Sequence, residues 1–347
     1  MDLDVDTFLT TVYCIVDELY QEHYAPHKPR RPGPRPEMSD SEVLTVTILA
    51  QWQQDRSERA FLAYACRHWR GYFPRLLSQS AFNRRARDLC GVLSRLGPLV
   101  ARQLTQTLTP APAYAVLDTV PVPLMRRCRG GRHRLFAAEA DFGHGGSDDE
   151  AYYGVQLLAV VHAAGLITGF VVGPAATDDR WLAEALVRWR TDPSAAPPTL
   201  AELALVLGPS HRRGGQRRGP TGPIAPGLGV GEPEAGPYLG DLGFHGAAWQ
   251  QHWQAAYGAT VLTKAAYDGL ARPERRQARR WFCGLRQVIE TVNGQLVGTF
   301  GLQFPRARTY WGLLTRLAAK VAAFNLSVAF KHHCDQPTFA AINPLTA

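Results

Sequence analysis

Apolar residues at Phe8, Leu9, Val12, Ile15, Val16 and Leu19 recur every three or four positions and predict a helix over 5–22. Prolines at 26, 29, 32, 34 and 36 end it. They form a linker over 25–37 that also carries Lys28, Arg30, Arg31 and Arg35. Ser39, with Glu42 three residues on, is a capping-box pattern ahead of Val43, Leu44, Val46, Ile48 and Leu49. A third helix is predicted over 58–68, and Ser80 is the expected cap of a fourth that runs to Gly97. On that fourth helix Phe82, Ala86, Leu89 and Leu93 can face a core while Arg84, Arg85 and Arg87 gather in its first turns. Packed helices followed by a basic amphipathic one resemble a helix-turn-helix-like domain over 1–108, whose second helix would enter a DNA major groove; an ordinary helical subdomain with a solvated arginine face is the alternative.

After residue 108 the period shortens. The run 113–117 predicts a strand ending in Asp118, and 152–162 with 166–172 predicts two more around Ala163, Ala164 and Gly165. A helix over 179–190, a strand over 238–241, a helix over 247–257, a strand over 259–263 and a long helix over 273–297 follow. Strands interleaved with helices predict an α/β domain over 110–334, a mixed sheet flanked by helices, with a tail at 335–347. Glycine and proline make up half of 208–237, which also holds Arg212, Arg213, Arg217 and Arg218. That composition predicts a flexible loop. The most apolar stretch, 151–176, is interrupted by Gln156, His162, Gly165 and Thr168, so a buried hairpin is expected there and no membrane span.

Charge adds a partner class. The 347 residues carry a net charge of +8, and all but four of the 38 basic side chains are arginine. Arginine's fork pairs bidentately with phosphate, which suits a polyanion, although a GC-rich genome would produce the same bias. The six cysteines are far apart with no CxxC pair, and no secretory leader is visible at Met1. Free thiols in a cytoplasmic protein are the expectation.

Three carboxylates stand in distinctive settings: Asp118 in AVLDTVPVP, Asp241 in YLGDLGFHG and Glu290 in LRQVIETVNGQL. The two aspartates end apolar strands, and neighbouring strands about 4.8 Å apart would bring both within reach of one divalent ion. Carboxylate oxygens are hard ligands for Mg²⁺ or Mn²⁺. Glu290 sits at the margin of the helical stripe Trp281, Phe282, Leu285, Val288, Ile289, Val292 and Leu296, four residues after Arg286. A surface Arg286–Glu290 pair is the simpler alternative for that glutamate. His332, His333, Cys334 and Asp335 have metal-capable types without a partner set, and Asp148, Asp149 and Glu150 suit a solvated turn.

These settings resemble the Asp-Asp-Glu signature of bacterial insertion-sequence transposases, whose catalytic domain has a ribonuclease-H-like fold. Asp118-Thr119 with Pro121 and Pro123 is similar to the family's D-S/T-x-P strand. Gly240-Asp241-x-Gly243-Phe244 is similar to its G-D-x-G-Y/F turn, and Arg286-x-x-x-Glu290 to its R-x-x-x-E helix. With SDSEVLTVTILA, FPRLLSQSAFNRRARDL and the last helix around Arg316, Lys320 and Asn325, the chain most resembles the insertion-sequence family nine-eight-two over residues 5–331. It departs from the pattern at Gln156, Cys283 and Val297, where the family commonly has a basic residue, a tyrosine and a basic residue.

The resemblance implies a DNA transposase that binds terminal inverted repeats and catalyses metal-dependent strand cleavage and strand transfer. Asp118, Asp241 and Glu290 would be catalytic and would hold two Mg²⁺ or Mn²⁺ ions; Arg84, Arg85, Arg87, Lys264 and Arg286 would contact DNA. Its partners would be double-stranded DNA, as element ends and target, and further copies of the chain in a dimer or larger assembly. Its place would be the bacterial cytoplasm, at the nucleoid. A domesticated DNA-binding regulator without use for the triad, and a ribonuclease-H-like nuclease without strand transfer, are the alternatives.

Overall fold

The computed structural model describes residues 5–29, 33, 36–53, 57–108, 114–132, 134–145, 150–199, 201–202, 223–225, 227–303 and 305–334. In chain order the elements are α1 (Val5–His23), α2 (Asp40–Leu49), α3 (Glu58–His68), α4 (Gln79–Asp88), α5 (Cys90–Thr107), β1 (Ala115–Arg126), α6 (Arg127–Gly130) and β2 (Asp141–Gly145). There follow β3 (Glu150–His162), β4 (Ile167–Pro174), α7 (Asp179–Thr191), β5 (Tyr238–Leu239), α8 (Ala247–Tyr257), β6 (Val261–Leu262), α9 (Arg272–Gly298) and α10 (Tyr310–His333). They form an α/β protein with two compact units. One takes in the described residues of Met1–Leu104, Gln295–Leu302 and Ala307–Ala347, the other those of Thr105–Gly294 and Gln303–Arg306.

The first unit is helical. Ser39 and Glu42 form the expected capping box at the start of α2. Behind it the buried Asp40 accepts bonds from Tyr20 on α1, from Lys28 and, at 2.5 Å, from Arg85 on α4. Burial would raise the Asp40 carboxyl, but these three donors hold it below its usual range. The predicted helix over 80–97 is two helices: α4 starts after Ser78, whose side chain makes no capping bond, and ends at Asp88, Leu89 leaves the helical region, and α5 continues through Pro98.

The domain boundary also differs from expectation. Helix α10, expected in the catalytic domain, packs with α1, α2 and α4 in the helical unit. Its sequence is apolar nearly all round, and a helix of that kind has to be enclosed. Edge-to-face rings run Phe330–Phe8–Trp52–Phe300–Phe324 with centroids 5.2–6.2 Å apart. Asn325 donates to the Gly97 carbonyl at 2.7 Å, and Lys320 to that of Phe300 at 2.5 Å. Among the described residues only α10 has the length and apolarity of a membrane span, and 89% of that window is buried inside the protein.

The second unit is built on a mixed sheet. On one edge of β3 lie β2 and β4, both antiparallel to it, and on its other edge lies β1, paired from Ala115↔His162 to Arg126↔Tyr152. Parallel to β1 runs β5, and parallel to β5 runs β6. Leu117, Leu158, Val160, Val171, Tyr238 and Val261 form one core with Leu182, Leu186 and Trp189 of α7 and Trp253 of α8. The hairpin predicted from 151–176 is β3–β4.

Two expectations need correcting here. Strand β1 does not stop near Asp118 but runs through Pro121 and Pro123 to Arg126. Because β5 pairs only with Ala115 and Val116, the prolines lie where the strand has β3 on one side and no described strand on the other, so missing N–H groups cost no ladder bond there. The glycine-rich segment is also less free than its composition predicts. Over 223–237, Ile224 and Val230 enter the core, Ala225 N–H donates to Val172 and Phe170 N–H to Gly229. Gly229 lies against the Phe170 ring and Gly227 against Trp189, so these glycines serve close approach. The rest of that segment (208–222 and 226), linker residues 30–32 and 34–35, Asp148, Asp149 and the tail from Asp335 lie outside the described residues.

Candidate active site

The site is set by strand register. Val116 pairs with Leu239 and Leu239 with Leu262 across three parallel strands. Two residues beyond that row come Asp118, Asp241 and Lys264. Asp118 lies within β1, while Asp241 and Lys264 lie just past the carboxyl ends of β5 and β6, where each opens a short 3-10 turn, so the three positions fall at one end of the parallel strands. Such edges are where open α/β sheets bind their ligands.

Helix α9 approaches Asp118. Asn293 Nδ2 donates to Asp118 Oδ2 at 2.9 Å, and the Arg286 guanidinium stands 3.9 Å from Oδ1. The Asp118 side chain is 25% exposed. Burial pushes its carboxyl up to about 7; Arg286 works against that rise, while the negative charges of Asp241 and Asp179 add to it. Arg286 Nε and Asn293 Oδ1 are buried with no hydrogen-bond partner.

Asp241 caps the short turn Leu242–Phe244, its Oδ1 accepting from Gly243 N–H at 2.8 Å. The G-D-x-G-F pattern has a packing explanation. The buried Phe244 ring folds back over Gly240, leaving 2.9–3.0 Å for any Cβ there. At Gly243, Asp179 Oδ2 and Asp241 Oδ1 stand 2.5 and 2.9 Å from where a Cβ would be. Asp179, in the first turn of α7 and 7% exposed, accepts from Thr119 Oγ1 at 3.1 Å, which keeps it in place.

Asp179 and Asn293 are therefore the site residues that sequence reasoning missed. The Asp178–Asp179 pair was visible as a helix start and Asn293 as a polar interruption of the α9 stripe, seven residues after Arg286. Neither position alone gives a contact with Asp118.

The other expected residues divide. Glu290 lies on α9 between Arg286 and Asn293 and is exposed. Among the described residues no group of three His, Cys, Asp or Glu side chains is placed to hold a metal ion. Lys264 is exposed just past β6. In the helical unit Arg84 is exposed, Arg87 is half-buried, and Arg85 is committed to Asp40. Gln156 is buried and donates to the Thr177 carbonyl. His245 precedes α8 and meets Thr263, whereas His252 within α8 meets Glu184, so the two serve different contacts.

Comparison with protein-family models, curated proteins and solved structures found no match to this chain.

Proposed function

We propose that this protein is a metal-dependent DNA transposase of the Asp-Asp-Glu type, with a ribonuclease-H-like catalytic unit and a helical DNA-binding unit, most like the insertion-sequence family nine-eight-two. The observation that carries the reading is the register row of Asp118, Asp241 and Lys264, met by Arg286 and Asn293 from α9. The resemblance implies a first aspartate on the first strand, a second after the fourth and a glutamate on a later helix; here Asp118 is on β1, Asp241 follows β5, which pairs with β1, and Glu290 is on α9.

The donors suit a hard cation. Two carboxylates share one sheet edge, their mutual charge helps to hold Asp118 protonated near neutrality, and an amide oxygen at Asn293 is buried without a partner. Asp118 and Asp241 would hold Mg²⁺ or Mn²⁺, two ions by the resemblance, with Glu290 completing the set. Bound there, the metal supplies Lewis acidity at a scissile phosphate and activates water or a 3′-hydroxyl for attack.

This chain's own residues do the remaining work. Asn293 fixes the Asp118 carboxylate, Arg286 offsets negative charge beside it, and Lys264 is placed at the same edge to meet a phosphate. Arg84 and Arg87 on α4 are the side chains left for end recognition once Arg85 is spent on Asp40. Two element ends must be paired for transfer, which calls for at least a dimer on DNA.

The test incubates purified protein with Mg²⁺ or Mn²⁺ and DNA carrying the inverted repeats that flank its gene. Cleavage and joining are expected, each reduced at least ~100-fold in Asp118→Ala and Glu290→Ala. Cleavage that either substitution leaves unchanged would sink the assignment, and cleavage without joining would make the protein a nuclease.

A further inference from the structure

The first half of α9 carries an exposed basic row that the aspartate site does not use. Five arginines fall within 272–280 beside one acid, Glu274. They divide into two sets. Arg279 pairs with Asp268 and Arg275 donates to the Asp268 carbonyl at 3.3 Å, so these two fasten the helix to the preceding turn. Arg272, Arg276 and Arg280, spaced by four, are exposed and form no ion pair among the described residues. On a regular helix they fall with Glu290 inside an arc of about 80° and rise about 6 Å per step.

Trp281, next after Arg280 and about 100° further round the helix, is 60% exposed, the most exposed large hydrophobic side chain among the described residues. Its neighbour Phe282 is turned inward, buried against Tyr267 with ring centroids 5.8 Å apart. The helix is thus anchored by one aromatic ring while it offers the next to solvent. A tryptophan left open next to unpaired arginines is poorly suited to an apolar protein partner. It matches a nucleic-acid strand, whose phosphates take the arginines and whose unstacked bases take the ring.

We infer that the exposed arginine row of α9, Arg272, Arg276 and Arg280, with Trp281 set off round the helix from its Arg280 end, binds an unpaired stretch of nucleic-acid strand and leads it toward Asp118 and Asp241. The inference rests on the proposed nucleic-acid chemistry of that site. Along the helix, Arg272 lies roughly 21 Å from Arg286, so the row spans several nucleotides of strand before the aspartates are reached. Phosphate contacts give affinity without sequence preference, and stacking on Trp281 favours bases that are not paired.

The test is fluorescence anisotropy of the full chain in EDTA with three labelled DNAs: a blunt duplex, the same duplex with a 3′ single-stranded tail, and a single strand. Since all four side chains are exposed, the variants should fold, and thermal melts check this. R272Q/R276Q/R280Q is expected to weaken binding to all three DNAs and to lower the slope of log affinity against log salt by about 2–3. Trp281→Ala should lose about 10-fold on the tailed duplex and the single strand and nothing on the blunt duplex, with Trp281→Phe restoring most of it. An unchanged salt slope in the triple variant, or equal effects of Trp281→Ala on blunt and tailed DNA, would overturn the inference. So would variants that disrupt self-association in sedimentation yet bind DNA as wild type.

No metal or cleavage enters this measurement, so the two readings fail separately. Strand binding through the α9 face without cleavage would leave the inference standing and remove the transposase. Cleavage that depends on Asp118 but ignores the α9 variants would do the reverse.

Discussion

Asp118 is held in a charge environment that only its neighbours create. Burial and the two nearby aspartates raise its carboxyl to about 7, so the folded chain takes up a proton there well above the ordinary range near 3.8. For an acid shifted upward, stability falls as pH rises from the unfolded to the folded value, because the folded state binds the proton more tightly. Asp118→Asn removes that penalty. In metal-free buffer its melting temperature should match wild type near pH 4, exceed it increasingly up to pH 7 and keep a constant lead above that. A lead independent of pH would show that the charge on Asp118 is not the cause. The sequence put Asp118 at a strand end in an apolar setting, which was enough to single it out. It could not show the crowding, since Asp179, Asp241 and Asn293 are 61, 123 and 175 positions away.

Among the elements, α7 shows how a helix is fixed in place by one buried group. Glu184 has no exposure and accepts from Trp253 Nε1 at 2.9 Å, Tyr257 Oη at 2.6 Å and His252 Nε2 at 3.2 Å, all on α8. Burial and the bond to Glu184 raise the Tyr257 hydroxyl, which therefore stays a donor. Glu184→Ala strands three donors in the interface and is expected to cost about 3 kcal/mol in denaturant unfolding, with Glu184→Gln closer to wild type. A loss below about 1 kcal/mol for the alanine variant would mean that water satisfies those donors. Helix spans were largely legible, because an amphipathic period survives in a single sequence: 179–190 was expected and Asp179–Thr191 found. What failed was punctuation. Pro98 does not stop α5, which continues through it without one backbone bond, and Pro121 and Pro123 do not stop β1, where they leave no ladder bond unmade.

For the whole molecule, the path of the chain decides what folds with what. A boundary near residue 108 follows the change from helical to strand texture, yet α10 returns to the helical unit some 200 residues later. A fragment of residues 1–108 lacks the helix against which Phe8 and the Gly97 turn pack. It is expected to bind ANS and to melt without a cooperative transition, while the full chain melts cooperatively; a cooperative melt of the fragment would show that α10 is dispensable. By itself the sequence determined most of the elements and their amphipathic faces, the apolar-strand settings of Asp118 and Asp241, and the surplus of arginine, all of which depend on local spacing and composition. Only the tertiary structure decided that β5 lies beside β1 in a register that aligns those aspartates with Lys264. It also decided that Asn293 bonds to Asp118, and that Arg85 belongs to Asp40. The physical reason is distance along the chain: period and propensity act within a few residues, whereas register, ion-pair choice and burial come from surfaces brought together after the elements exist.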